Sequence, residues 1–152
     1  GVETLLEVAS RLPYKLKIAG GGPLKEVLEA KYKDCSNIEF LGHCDAQQVV
    51  DLLSKAKFTV APSECYENNP LSVIESLCAG TPVVGANIGG IPELIEEGMS
   101  GYKFVSGDKE ELKVTIDKAF KCNWDNSKIK ENSLERFSPE RYFSEIKLIY
   151  GV

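Results

Sequence analysis

Residues 63–75 form the segment whose residue types are best suited to bind a ligand. Asn69 followed by Pro70 is typical of a helix start, because Asn caps well and Pro lacks the N–H that would lose its partner there. The N–H groups of Leu71 and Ser72 would then point out of the helix end, whose partial positive charge attracts anions. We predict that this turn binds phosphate.

Two carboxylates lie on either side of that helix start. Glu67 precedes it in the loop, and Glu75 follows eight positions later in an otherwise apolar stretch. A carboxylate accepts hydrogen bonds in pairs, which suits vicinal hydroxyls. The pattern therefore fits a ligand of the form sugar–diphosphate–ribose. Spacing alone leaves a second interpretation open, in which Glu75 is a solvated helix residue and Glu67 interacts with the helix dipole.

These residues must be positioned by alternating helices and strands. Hydrophobic periodicity predicts strands at 15–19, 38–42, 58–62, 81–85 and 101–105, and helices at 2–11, 24–33, 70–79, after Asp45 as N-cap, and beyond Asp108. Strands separated by helices of about 10–15 residues predict a parallel sheet covered on both faces, which is a doubly wound, Rossmann-like α/β fold. Ligands bind such sheets beyond the carboxyl ends of the strands. The predicted loops there are 20–23, 42–45, 63–70 and 87–92.

Length and composition fit one ordinary globular domain. The chain has 152 residues, of which 43% are apolar and 27% charged, and no apolar run approaches the roughly 20 residues needed to cross a bilayer. A net charge of −5 argues against a nucleic-acid partner. Five cysteines without a C-x-x-C pair and a single histidine indicate reduced thiols, so we expect neither disulfides nor a metal.

Five short motifs, in order along nearly the whole chain, resemble the group 1 (family 4) retaining glycosyltransferases of GT-B fold. One motif at 67–84 holds Glu67 and Glu75 at the spacing of that family's acidic pair and continues as SLCAGTPVV at 76–84, and a second, GGIPE, follows at 89–93. Residues 19–24, 38–42 and 101–102 resemble the family's V-G-x-G-P-L, F-L-G and T-G-Y motifs. Each motif is weakly specific by itself, whereas five in order are specific.

The resemblance implies a role for each position. Glu67 would be the catalytic residue, contacting hydroxyls of the donor sugar, and Glu75 would bind the ribose. Amides of the helix start would bind the diphosphate, and the loop at His43 would lie against the base. Gly22 would let the backbone approach the nucleotide closely. The predicted donor-binding residues are Gly22, His43, Cys44, Asn68, Asn69, Pro70, Leu71, Ser72 and Glu75.

By the same resemblance, the chain is the C-terminal, donor-binding half of a two-domain hexosyltransferase. Such an enzyme moves a sugar from a UDP- or GDP-linked donor to an acceptor hydroxyl with retention at the anomeric carbon. The leaving phosphate assists deprotonation of the acceptor. Amides and upstream cations would meet the charge of the diphosphate, so no metal or other cofactor is expected. Polysaccharide biosynthesis in the cytoplasm is the implied role. This chain should not insert into a membrane, although the other domain could attach the full-length protein peripherally.

Residues 1–152 are expected to form a single nucleotide-sugar-binding domain, excised from a larger protein and lacking its first strand. Family members carry a Gly-Arg strand and a Lys shortly before a Gly that matches Gly1. Both cations and the N-terminal acceptor-binding domain would then lie upstream. Each missing charge-assisted contact is worth about 1.5–3 kcal/mol, so we expect the chain alone to bind donor weakly and to be inactive.

Two other functions stay open: a nucleotide-sugar 2-epimerase of the same architecture, which normally lacks the paired glutamates, and a non-catalytic nucleotide- or partner-binding α/β module. Elsewhere in the chain, Cys65 lacks the His partner of a nucleophile and is interpreted as structural. Trp124 is expected at the surface. The apolar stripe of the last helix is expected to pack in the core; it comprises Phe137, Tyr142, Phe143 and Ile146.

Overall fold

The computed structural model describes residues 1–151 as short parallel strands alternating with helices. In chain order the elements are α1 (Val2–Ala9), β1 (Leu16–Ala19), α2 (Lys25–Lys31), β2 (Ile38–Gly42), α3 (Ala46–Lys55), β3 (Thr59–Ala61), α4 (Leu71–Cys78), β4 (Val83–Ala86), α5 (Ile91–Leu94), β5 (Gly101–Phe104), α6 (Lys109–Lys121), α7 (Asn126–Arg136) and α8 (Pro139–Tyr150). All five predicted strands are present. The short helix α5 begins inside the segment predicted as a loop at 87–92.

The strands are parallel, as predicted, and they form two sheets. β1 pairs with β2, and β4 lies between β3 and β5. Among residues 1–151, β1 and β3 therefore each pair along one edge only. Among the described residues, no strand hydrogen-bonds with both β1 and β3, so the predicted parallel sheet is interrupted between them.

The three-stranded sheet is covered on both faces. Val84 and Ala86 of β4 pack with residues of α1 and α6, whereas Val83 packs with residues of α4, α5 and α7. All four side chains of β4 are buried. Burial on both faces explains why this strand is a continuous apolar run without polar alternation.

The two-stranded sheet is covered on one face. Its inward side chains, which include Ile18 and Phe40, pack against Leu6 of α1 and Leu28 of α2. On the opposite face, Lys17 and Glu39 form an ion pair of 3.7 Å with both side chains more than half exposed, so the pair contributes little stability.

Helix α1 connects the two sheets. Its Leu5 packs on the larger sheet and its Leu6 on the smaller one. Gly1 lies against the carbonyl of Pro62 at the end of β3. At the other end of the helix, the Asn37 side chain, just before β2, donates to the Ala9 carbonyl at 2.8 Å. α1 thus runs from the carboxyl end of β3 to the amino end of β2, so the carboxyl ends of both sheets lie on one side.

Two predictions about the C-terminal part are wrong. Tyr142 and Phe143 are 68% and 59% exposed, and α8 buries no residue, because nothing in residues 1–151 covers its apolar face. Only Phe137, which ends α7, packs against the core. Trp124 is half-buried and packs against both core clusters of the larger sheet, since the turn between α6 and α7 directs it inward.

Candidate functional site

The predicted site residues lie in loops at the carboxyl ends of the strands. Gly22 follows β1, His43 and Cys44 follow β2, and residues 67–72 follow β3. The Gly20 amide donates a hydrogen bond of 2.6 Å to the Gly42 carbonyl, which joins the loops after β1 and β2. The space that a side chain on Gly22 would occupy is free of other atoms within 4 Å, and His43 is exposed.

The helix start at α4 differs by one residue from the prediction. Pro70, with φ −66° and ψ 112°, is the N-cap, and no side chain caps the helix. The prediction of Asn69 as N-cap is wrong, because the extended ψ of Pro70 places the first helical residue at Leu71. The first hydrogen bond runs from the Val73 amide to the Pro70 carbonyl at 3.1 Å. The amides of Leu71 and Ser72 precede it and have no acceptor within residues 1–151.

The buried side of α4 determines which of its residues face solvent. The buried residues are Val73, Ser76 and Leu77. Residues three or four apart in a helix are neighbours on one face, so Glu75 shares the exposed face of Leu71 and Ser72. Its carboxylate pairs with no basic side chain of residues 1–151. An anion bound at the free amides would thus have Glu75 one turn away.

Glu67 is half-buried and held by its neighbours. The Ser63 hydroxyl donates to Glu67 Oε1 at 3.0 Å, and the Gly90 amide donates to the Glu67 carbonyl at 2.7 Å. Ser63 is itself fixed, because the Ser106 hydroxyl donates to its carbonyl at 2.8 Å. Three loops, after β3, β4 and β5, are therefore joined through Ser63 and Glu67. Asn68, the next residue, is exposed.

Sequence reasoning missed the residues that hold this loop and one cation beside the site. Ser63 and Ser106 each stand shortly after a strand, which is the signal that could have identified them. The Thr4 hydroxyl donates to Glu64 at 2.6 Å and ties the same loop to α1. Lys25 follows the glycine-rich turn, and its Nζ lies 3.3 Å from the position that a Cβ on Gly42 would occupy.

The surroundings of the site bear on what it can bind. Within residues 1–151, no three His, Cys, Asp or Glu side chains come together in a way that could hold a metal ion. None of the described helices combines the length and apolar character of a membrane span. A cavity of about 240 Å³ lies near the amino end of β5, between α7 and the loop before that strand. It includes none of the predicted site residues.

Comparisons with known proteins identify the family of this chain. A family model described as Glycosyl transferases group 1 matches residues 1–136. The sulfoquinovosyl transferase SQD2 of Arabidopsis thaliana is 34% identical over 114 residues, covering 72% of this chain and 22% of that protein. The N-acetyl-alpha-D-glucosaminyl L-malate synthase of Bacillus anthracis is 28% identical over 159 residues, covering 98% and 40%. The chain thus spans less than half the length of these relatives.

Solved structures have the same fold. The apo form of the lipopolysaccharide outer core galactosyltransferase WaaB matches with a TM-score of 0.85 and 18% identity, over 99% of this chain and 44% of that one. Anabaena Alr3699/HepE in complex with UDP and glucose matches with a TM-score of 0.81 and 19% identity, over 100% and 45%. The predicted α/β fold, that of the C-terminal half of a GT-B glycosyltransferase, is thereby confirmed. Since the family model covers every element from α1 to α7, the chain belongs to the group 1 glycosyl transferases.

Proposed function

We propose that this chain is the donor-binding domain of an enzyme that transfers a sugar from a nucleotide sugar to an acceptor hydroxyl. One observation carries the proposal: the unpaired amides of Leu71 and Ser72 open α4 between a fixed carboxylate, Glu67, and an exposed one, Glu75. Helix starts of this kind bind phosphate through backbone N–H groups and the helix dipole. The family match and a relative named as a sulfoquinovosyl transferase support a transfer reaction.

In the proposed complex, each group of the site binds one part of the donor. The two amides bind the diphosphate, Glu75 accepts hydrogen bonds from the ribose hydroxyls, and Glu67 accepts them from the sugar. The loops at Gly22 and His43 lie against the nucleoside. Glu67 acts by position and charge beside the anomeric carbon, and the hexose is transferred from UDP or GDP with retention. Metal ions are not part of this proposal.

We further propose that a larger protein completes the domain. One additional parallel strand between β1 and β3 would satisfy both unpaired edges and join the two sheets. Basic side chains outside this chain would neutralise the diphosphate, and a second domain would bind the acceptor. The chain alone would then bind donor weakly and transfer nothing. Polysaccharide synthesis in the cytoplasm, with peripheral membrane attachment through the second domain, is the role we assign to the whole enzyme.

Titration with UDP, GDP and ADP, followed by NMR, tests donor binding by the chain. We expect one nucleotide to bind best and to shift amide signals at Gly22, His43 and residues 67–75. Shifts confined to the cavity beside α7, or no shifts with any of the three nucleotides, would contradict the proposed site.

Incubation of the complete gene product with labelled UDP- and GDP-sugars tests the reaction. Transfer of label to an acceptor or to water supports the proposal. Conversion of the sugar to an epimer would instead identify a nucleotide-sugar 2-epimerase. An inert protein that still binds nucleotide would identify a non-catalytic module.

A further inference from the structure

We propose that Ser63 and the Gly89–Gly90 turn are positioning residues, which together aim the Glu67 carboxylate at the donor sugar. The inference rests on the proposed function, since it takes Glu67 as the group that contacts the sugar. It adds which contacts hold the Glu67 carboxylate in a single orientation.

Ser63 fixes the side chain of Glu67. Its hydroxyl donates to Oε1 at 3.0 Å, and a bond to an ionised acceptor is stronger than one between neutral groups. Its own carbonyl accepts from the Ser106 hydroxyl at 2.8 Å, so the donor is anchored to the loop after β5. Oε2 accepts no hydrogen bond from residues 1–151, which leaves that oxygen available to a sugar hydroxyl.

The glycine turn fixes the backbone of Glu67. The Gly90 amide donates to the Glu67 carbonyl at 2.7 Å. A Cβ on Gly90 would overlap the Asn68 carbonyl oxygen, and one on Gly89 would overlap the Glu67 carbonyl oxygen and lie 2.8 Å from the Glu67 nitrogen. Gly89 also has a φ of +57°, which side chains disfavour. Only glycines let the acidic loop rest directly on this turn.

The Gly89–Gly90 turn is held in place by the buried packing of α5. Ile91, the first residue of α5, is fully buried. α5 packs so closely on β4 that a Cβ on Gly85 would overlap the Ile95 side chain and lie 2.8 Å from Cγ2 of Ile91. Closely packed interiors resist shifts of this kind. A side chain on Gly90 would therefore displace the exposed loop at Glu67 and leave α5 in place.

The test compares affinities for a nucleotide and for the matching nucleotide sugar. NMR titrations of the chain use UDP with UDP-glucose and GDP with GDP-mannose, and the tighter pair is followed in each variant. In Ser63→Ala, we expect affinity for the nucleotide to stay within about twofold and affinity for the nucleotide sugar to fall about tenfold, the loss of one charge-assisted contact. In Gly90→Ala, we expect affinity for the nucleotide sugar to fall at least as much and by more than affinity for the nucleotide. Ser63→Thr keeps the hydroxyl and should restore most of the lost affinity.

A matched control is Thr4→Val, which removes another hydrogen bond to the same loop without touching Glu67; it should bind both ligands like the parent chain.

The Glu67→Gln variant separates the two proposals. If it weakens only nucleotide-sugar binding while Ser63→Ala and Gly90→Ala bind like the parent, positioning is wrong and the sugar contact stands. If Glu67→Gln changes nothing, or if neither ligand pair binds the parent, the proposed function itself fails. If Gly90→Ala does not fold, the affinities of Ser63→Ala compared with those of the parent chain test the proposal by themselves.

Discussion

Glu67 and Glu75 carry the same charge in very different surroundings. Glu67 is half-buried and held by Ser63 and Gly90, whereas Glu75 is exposed and pairs with no basic side chain of residues 1–151. A side chain that is already ordered loses little entropy when a ligand binds. Glu75 takes its direction from the helix alone. Its removal should therefore affect ligand binding and not the fold.

The first prediction concerns that difference. Glu75→Ala should weaken binding of UDP or GDP roughly 10- to 100-fold, because hydrogen bonds to a charged group are lost, while the melting temperature stays nearly unchanged. NMR titration and thermal unfolding measure the two quantities. Glu131→Ala, which removes an exposed carboxylate from α7, serves as control. An unaltered binding isotherm for Glu75→Ala would refute its assignment to the ribose.

The second prediction uses the thiols as reporters of the site. Cys65 is exposed in the loop that carries Glu67, whereas burial raises the pKa of the Cys78 thiol in α4. Because the thiolate is the reactive form, iodoacetamide should modify Cys65 well before Cys78, as measured by peptide mass spectrometry. A bound nucleotide sugar should slow the modification of Cys65. If Cys65 is modified at the same rate with and without saturating nucleotide sugar, the donor does not contact this loop.

At the scale of the elements, helix starts depend on local signals. Asp45 accepts from the Gln48 amide at 2.9 Å, and the Gln48 side chain accepts from the Asp45 amide at 2.8 Å, so the predicted N-cap is confirmed as a reciprocal capping box. α8 shows the limit of such signals. Its periodicity identified an apolar face correctly, but periodicity carries no information about what covers that face.

The third prediction compares helix α7, which packs, with α8, which does not. Ile129 is 4% exposed in the core cluster beneath α4, so Ile129→Ala should lower the free energy of unfolding by about 2–5 kcal/mol. Tyr142→Ala and Phe143→Ala should change it by less than about 0.5 kcal/mol. Urea denaturation of the chain measures all three. A large loss in Phe143→Ala would show that α8 packs against the rest of the chain.

The parts of the site that could be predicted are those whose residues lie close together in the sequence. Asn69, Pro70 and the two glutamates lie within a few residues of one another, so their arrangement around one helix start could be predicted with an error of one residue. The hydrogen bond between Ser106 and Ser63 joins positions 43 residues apart. Contacts of that kind leave no periodicity in the sequence.

At the scale of the whole molecule, α1 is the element that holds the two sheets together. Its Leu5 and Leu6 belong to different core clusters, and the Lys109 side chain donates to Glu7 at 2.6 Å to tie α1 to α6. β1 and β3 are each hydrogen-bonded on one side, whereas β4 is hydrogen-bonded on both. The local stability of β4 should accordingly exceed that of β1 and β3.

The fourth prediction follows from that unevenness. Amides of β4 should exchange with solvent deuterium most slowly, and amides of β1 and β3 that point away from their partners should exchange much faster, because unpaired strand edges open at low cost. Hydrogen exchange followed by NMR measures each amide. Equal protection in β1, β3 and β4 would mean that the two sheets close against each other in solution.

Within residues 1–151, β1 and β3 each present one edge without a partner strand, and such an edge is a template for an extended peptide supplied in trans. β-Augmentation gains affinity from main-chain hydrogen bonds and specificity from alternate side chains. A change in nucleotide binding on addition of such a peptide would report pairing at these edges.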